Sequence, residues 1–162
     1  MRVGFGYDSH RFDPDRTMVL GGVTIPDVPG LAGFSDGDAV AHAVIDAILG
    51  AASLGDVGRH FPPGEEEWRG ADSMELLDRA VALLEEAGYG VGNVDVTVVT
   101  ESPKISPVAE EMGCSLASRL GISPEAVSVK GKSNEGMGWT GAGEGLAVYA
   151  VALIGPSNSQ EG

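Results

Sequence analysis

Apolar residues recur at helical spacing in two parts of the chain. Val40, Ala41, Val44, Ile45, Ile48 and Leu49 line one face of the segment from about residue 38 to residue 53, the stripe a helix needs to bury itself against a core. On the same segment Asp38, His42 and Asp46 follow at intervals of four, a polar line one turn apart on a separate face. Leu76, Leu77, Ala80, Val81, Leu83 and Leu84 predict a second helix. It starts at an Asp72-x-x-Glu75 capping pattern and stops at Gly88. Ser106-Pro107 opens a third helix and Leu120-Gly121 closes it. Elsewhere the pattern is that of strands. Residues 93–100 alternate and are rich in β-branched side chains, and Val127–Lys132 and Glu144–Ile154 read the same way. Met1–Phe5 predicts a short strand, and Met18–Ile25 a pair of short strands around Gly21-Gly22. Residues 26–37 are turn-rich, and residues 54–71 read as a loop with a short helical turn. Strands and helices mix without strict alternation, which predicts an α+β class. We expect one domain over residues 1–154 and a flexible C-terminal tail over 155–162.

Composition narrows the functions. The 162 residues carry 24 acidic against 10 basic side chains, a net charge of −14, which excludes a binder of nucleic-acid backbones. The longest apolar run, Leu146–Ile154, has nine residues, too few to span a membrane. The N-terminus has no signal-peptide core, so a soluble cytoplasmic protein is expected. The single cysteine, Cys114, excludes an internal disulfide. An acidic chain repels anions, so a phosphate substrate requires something local to reverse the field.

Asp8 and His10, two apart, project from one face of extended backbone. His42 lies on the polar line of the first predicted helix. One carboxylate and two imidazoles make a donor set that suits zinc with an open fourth position, and such an ion polarises a phosphoryl oxygen. Spacing alone does not bring His42 to the other two, and each can equally be a solvated or core histidine. His60 reads as a solvated or core histidine of this kind. Residues 130–145 hold Lys132, Ser133, Asn134 and Glu135, followed by five glycines in Gly136–Gly145. Close backbone approach, the Ser133 hydroxyl and the Lys132 charge suit phosphate, and Glu135 suits a divalent cation. A P-loop is excluded, because it requires glycine at Ala126. A bulged hairpin is the other reading. Asp36 and Asp38 enter the first helix as capping acids or as part of an anion site. Asp56, in Leu54-Gly-Asp-Val-Gly58, either accepts from sugar hydroxyls or stabilises a turn.

Taken in order, Gly4-Phe-Gly-Tyr-Asp-Ser-His10, Ser35-Asp-Gly-Asp-x-x-x-His42, Gly55-Asp-Val-Gly58, Gly70-Ala-Asp-Ser73, Pro103-Lys104 and Gly138-Trp-Thr-Gly-x-Gly-Glu-Gly145 resemble the 2-C-methyl-D-erythritol 2,4-cyclodiphosphate synthase family over residues 1–154. The resemblance implies a mixed sheet with helices on one face and a homotrimer with active sites between subunits. It implies that a 2-phosphate attacks the β-phosphorus of a cytidine diphosphate ester and releases CMP. It makes Asp8, His10 and His42 zinc ligands and Glu135 the ligand of Mg²⁺ or Mn²⁺. Ser35, Ser133 and Lys132 would serve the phosphates, with Asn134 beside them. Thr100, Lys104, Ile105 and Ser106 would hold the cytosine, and Asp56, Val57 and Gly58 the polyol. Phe34 and Trp139 complete the expected site, and Asp38 and Asp46 are expected to orient His42. Phe34 stands where many relatives have a basic or polar side chain. Pro63 stands where an Asp is common, with Glu65, Glu66 or Glu67 as possible substitutes. Ala142 stands where some relatives have an Arg at a trimer-axis cavity, which argues against an isoprenoid diphosphate there. The alternatives are a non-catalytic trimeric CDP-binding relative and a metal-dependent phosphohydrolase.

Overall fold

The computed structural model describes residues 1–157. Its strands are β1 (Arg2–Leu20), β2 (Val23–Leu31), β3 (Tyr89–Val99), β4 (Val127–Lys132) and β5 (Gly145–Pro156), and its helices are α1 (Ala39–Ala51), α2 (Val57–His60), α3 (Ser73–Glu86), α4 (Ala109–Leu120) and α5 (Gly138–Gly141). The strands form one five-stranded sheet in the order β2-β1-β5-β3-β4. Only β3 and β4 run parallel; the other pairings are antiparallel. The sheet is thus mixed, and the α+β class holds.

The helices cover one face of this sheet. Even-numbered positions of β5, from Leu146 to Ile154, are buried under α1 and its neighbours. The other face leaves Val3, Phe5, Tyr7, Tyr149 and Val151 exposed, and the Tyr7 and Tyr149 rings pack with centroids 5.3 Å apart at a tilt of 48°. Such a patch of large apolar side chains is costly to leave in water.

Two local devices place α1. Gly21 and Gly22 both have positive φ, 57° and 74°, which suits the two-residue turn joining β1 to β2. Their N–H groups donate to the Asp38 carboxylate at 2.8 and 2.7 Å, and the same carboxylate caps α1 by accepting from Ala41 N at 3.0 Å. Burial pushes this carboxyl up to about 6, against the pull of those three hydrogen bonds. Asp38 therefore ties the helix start to the hairpin.

The elements depart from expectation at several of their boundaries. β1 is much longer than Met1–Phe5; its alternation is obscured by Gly4 and Gly6 and by a register irregularity between Asp13 and Met18. β2 continues through Pro26 and Pro29, which an edge strand tolerates because its outward N–H groups need no partner. α4 begins at Ala109, after a turn in which Val108 N donates to Ile105 O at 3.0 Å. The last strand runs through Pro156, with Gly155 opposite Gly90, two residues into the expected tail. Residues 158–162 of that tail lie outside the described residues.

Candidate active site

Asp8 and His10 lie on β1 itself, on the face that meets α1. The helix approaches closely because β1 carries glycine there. A Cβ on Gly4 would stand 1.9 Å from Ala47 O, and one on Gly6 would stand 1.8 Å from Ala43 O. Ala43, Ala47 and Ala51 answer on the helix side, all buried. His42, next to Ala43, is thereby carried onto the strand residues.

The result is a compact donor set. Asp8 Oδ2 lies 2.8 Å from His10 Nε2 and 3.0 Å from His42 Nδ1. The three ligand atoms fall within 4.8 Å of one another. Burial pulls the Asp8 carboxyl upward, but the two imidazoles outweigh it and hold the group at about 2. Burial pulls His10 down, and hydrogen bonding to Asp8 outweighs it, so His10 is raised from 6.5. His10 Nδ1 is 2.5 Å from the carbonyl oxygen of Ala32. A carbonyl only accepts, so Nδ1 carries the proton and a neutral His10 turns a lone pair toward Asp8. A carboxylate oxygen and a ring lone pair at 2.8 Å repel unless a proton or a cation lies between them. The residues therefore fit a metal ion.

The centre opens on an apolar cavity of about 210 Å³ lined by Phe34, Ser35, Val57, Gly58, Phe61, Pro63, Trp68 and Leu76 beside His10 and His42. Asp56 caps α2 through Arg59 N at 2.9 Å, which places Val57 and Gly58 on this wall. The Arg69 guanidinium stacks 4.8 Å over the Phe34 ring. Glu65, Glu66 and Glu67 do not line the cavity; Glu66 pairs with Arg69 and Glu67 with Arg79. Trp68 Nε1 is a buried donor with no hydrogen-bond partner among the described residues.

Other expected residues gather elsewhere. Thr100, Lys104, Ile105, Ser106, Lys132 and Ser133 line one cavity of about 120 Å³. Pairing of Val99 with Lys132 brings the two segments together, and Gly131 leaves room for Ile105, which a Cβ would meet at 2.8 Å. Ser133 Oγ donates to Glu135 Oε1 at 2.9 Å. Glu101, which the sequence reading passed over, accepts from Asn134 N at 2.8 Å and so holds this turn. Trp139 joins neither group; it lines a third hollow with Ser9, His10, Arg11 and Glu144. The cavities at His42 and at Lys132 share no lining residue.

Two expected roles are corrected. Asp38 and Asp46 make no hydrogen bond to the His42 ring. Asp38 is spent on backbone N–H groups, and Asp46 accepts from Val57 N at 2.8 Å, tying α1 to the start of α2. The ring's outer nitrogen, Nε2, instead meets Ser73 Oγ at 2.9 Å and Ser35 Oγ at 3.2 Å. Ser73 stands at the start of α3, 31 residues away, and only the packing of α3 on α1 reveals it. His60 takes the bland reading, with Nε2 2.8 Å from Leu54 O.

These features define a class: an α+β domain with an Asp-His-His candidate metal-binding triad set between its sheet and its first helix. A model of the YgbB family matches residues 1–155, and the chain belongs to that family. It is 54% identical over 154 residues to the 2-C-methyl-D-erythritol 2,4-cyclodiphosphate synthase of Symbiobacterium thermophilum, covering 95% of this chain and 98% of that one. It is 53% identical to the synthase of the same name from Pelotomaculum thermopropionicum, covering 95% of each. Among solved structures, the CDP complex of IspF from Plasmodium falciparum superposes with a TM-score of 0.84 at 34% identity, covering 97% of each chain. The bifunctional IspDF from Campylobacter jejuni superposes with a TM-score of 0.93 at 36% identity, covering 96% of this chain and 42% of that one.

Proposed function

We propose that the chain converts 4-diphosphocytidyl-2-C-methyl-D-erythritol 2-phosphate into 2-C-methyl-D-erythritol 2,4-cyclodiphosphate and CMP, within non-mevalonate isoprenoid biosynthesis. Near-full-length identity to synthases of that name supports the reading. The observation that carries it is the convergence of Asp8, His10 and His42 within 4.8 Å at the mouth of a cavity.

In the proposed reaction an oxygen of the 2-phosphate bonds to the β-phosphorus. The bond from that phosphorus to the bridging oxygen breaks, and its electron pair leaves on the α-phosphate of CMP. This makes the enzyme a cyclising phosphorus–oxygen lyase. The nucleophile is already an anion, so no general base is needed, and the protein's work is alignment and charge stabilisation. Zinc held by Asp8, His10 and His42, with Mg²⁺ or Mn²⁺ held by Glu135, supplies Lewis-acid neutralisation of phosphate charge. The Ser35 hydroxyl donates to a phosphate oxygen. The Lys132 ammonium faces the departing phosphate, with Ser133 and Asn134 beside it. Asp56, Val57 and Gly58 hold the polyol against the apolar wall that includes Phe34. The Thr100–Ser106 segment, with Lys104 and Ile105, holds the cytosine.

The site is completed between copies in a homotrimer. The exposed apolar sheet face of Val3, Phe5, Tyr7, Tyr149 and Val151 supports self-association, and the separation of the metal cavity from the Lys132 cavity supports a shared site. No helix among the described residues is long and apolar enough to cross a membrane; a cytoplasmic location is part of the proposal. Chelation tests the reading. CMP release should stop when bound metal is stripped and return with zinc plus Mg²⁺, whereas undiminished release from the stripped protein would overturn it.

A further inference from the structure

We propose that Ser73 and Asp36 are positioning residues that lock His42 in the tautomer and orientation a metal requires. The inference rests on the metal-centre reading and deepens it.

A hydroxyl has a single proton, and its partner decides how it meets everything else. Ser73 Oγ lies 2.5 Å from Asp36 Oδ1, and Ser73 N donates to Asp36 Oδ2 at 3.1 Å. The carboxylate thus grips Ser73 at two points, and its charge makes it the strongest acceptor in reach. The Ser73 proton goes to Asp36. Ser73 Oγ then faces His42 Nε2, 2.9 Å away, as an acceptor. That requires the proton of a neutral His42 to sit on Nε2, leaving the Nδ1 lone pair aimed at Asp8 Oδ2. Ala32 O does the same for His10 from the other side. Both rings therefore present bare nitrogens to one point.

The arrangement is rigid. Ser73 is fully buried at the first position of α3, and Asp36 also accepts from Asp38 N at 3.1 Å. The chain Asp36–Ser73–His42 thus joins the loop before α1, the start of α3 and the face of α1. It also divides labour between two serines. Ser35 Oγ accepts from Gly37 N at 3.3 Å and lines the cavity, so its own proton remains available to a ligand.

The test compares zinc affinity of the stripped full-length protein, by competition with a chromophoric chelator, and the His42 tautomer, by long-range ¹H–¹⁵N correlation. Ser73→Ala should weaken zinc binding about 10- to 100-fold and allow both tautomers in the metal-free protein. Ser73→Thr, which keeps the hydroxyl, should restore both. Asp36→Asn, which cannot accept from both Ser73 groups, should shift both readouts in the same direction and carries the test if Ser73→Ala fails to fold. Wild-type zinc affinity with a single Nε2–H tautomer in a folded Ser73→Ala or Asp36→Asn protein would overturn the proposal. Unchanged zinc affinity in His42→Ala would instead overturn the metal centre itself.

Discussion

Gly6 of β1 lies so close to Ala43 of α1 that a Cβ on the glycine would come 1.8 Å from the Ala43 carbonyl oxygen. The obstruction is backbone, so a methyl group cannot be accommodated by turning a side chain. Gly6→Ala should push α1 off the sheet at a cost of about 3 kcal/mol or more. For a chain of this size that lowers the melting temperature by roughly 10 °C. It should also weaken metal binding, because His42 rides on the displaced helix. Calorimetry with metal titration checks both, and a variant with unchanged melting and metal affinity would contradict the packing described.

The metal-free protein should have a stability optimum bounded on both sides by its donor set. Asp8 is held at about 2 against 3.8 unfolded, so its contribution is complete above pH 3.8 and is lost as pH falls toward 2. A depression of that size is worth on the order of 2 kcal/mol. His10 is raised above 6.5, so its contribution is complete below pH 6.5 and is lost as pH rises through the raised value. Denaturant unfolding of the chelated protein across this range should show both slopes, and Asp8→Asn should flatten both.

The proposed division of the site between copies predicts complementation. His42→Ala and Lys132→Ala should each be inactive as pure trimers. Co-assembled in equal amounts, they should regain about a quarter of wild-type activity, because an interface between one subunit of each kind restores one complete site in half of its two arrangements. Mixed trimers, confirmed by mass spectrometry, that stay inactive would contradict the shared site.

Much of this was legible in the residues, for reasons of period. The stripe from Val40 to Leu49 and the caps Asp72 and Gly88 are local signals, and the helices stand where those signals put them. Asp8 and His10 share a face because extended backbone has a period of two, though the strand bearing them looked short. What escaped was whatever depends on contact between distant segments. Ser73 reaches His42 only through α3 packing on α1, and Glu101 reaches Asn134 only because β3 and β4 end side by side. Asp38 and Asp46 misled for the complementary reason: correct spacing on a helix does not say which neighbour a carboxylate will find.

If the chain is a cyclising synthase, its product is a cyclic diphosphate. ³¹P NMR of the zinc- and Mg²⁺-loaded protein with 4-diphosphocytidyl-2-C-methyl-D-erythritol 2-phosphate tests it most directly. Cyclisation gives paired cyclic diphosphate resonances growing in step with an equal amount of CMP. Open-chain phosphomonoesters, or CDP-type resonances that persist unchanged, would contradict it.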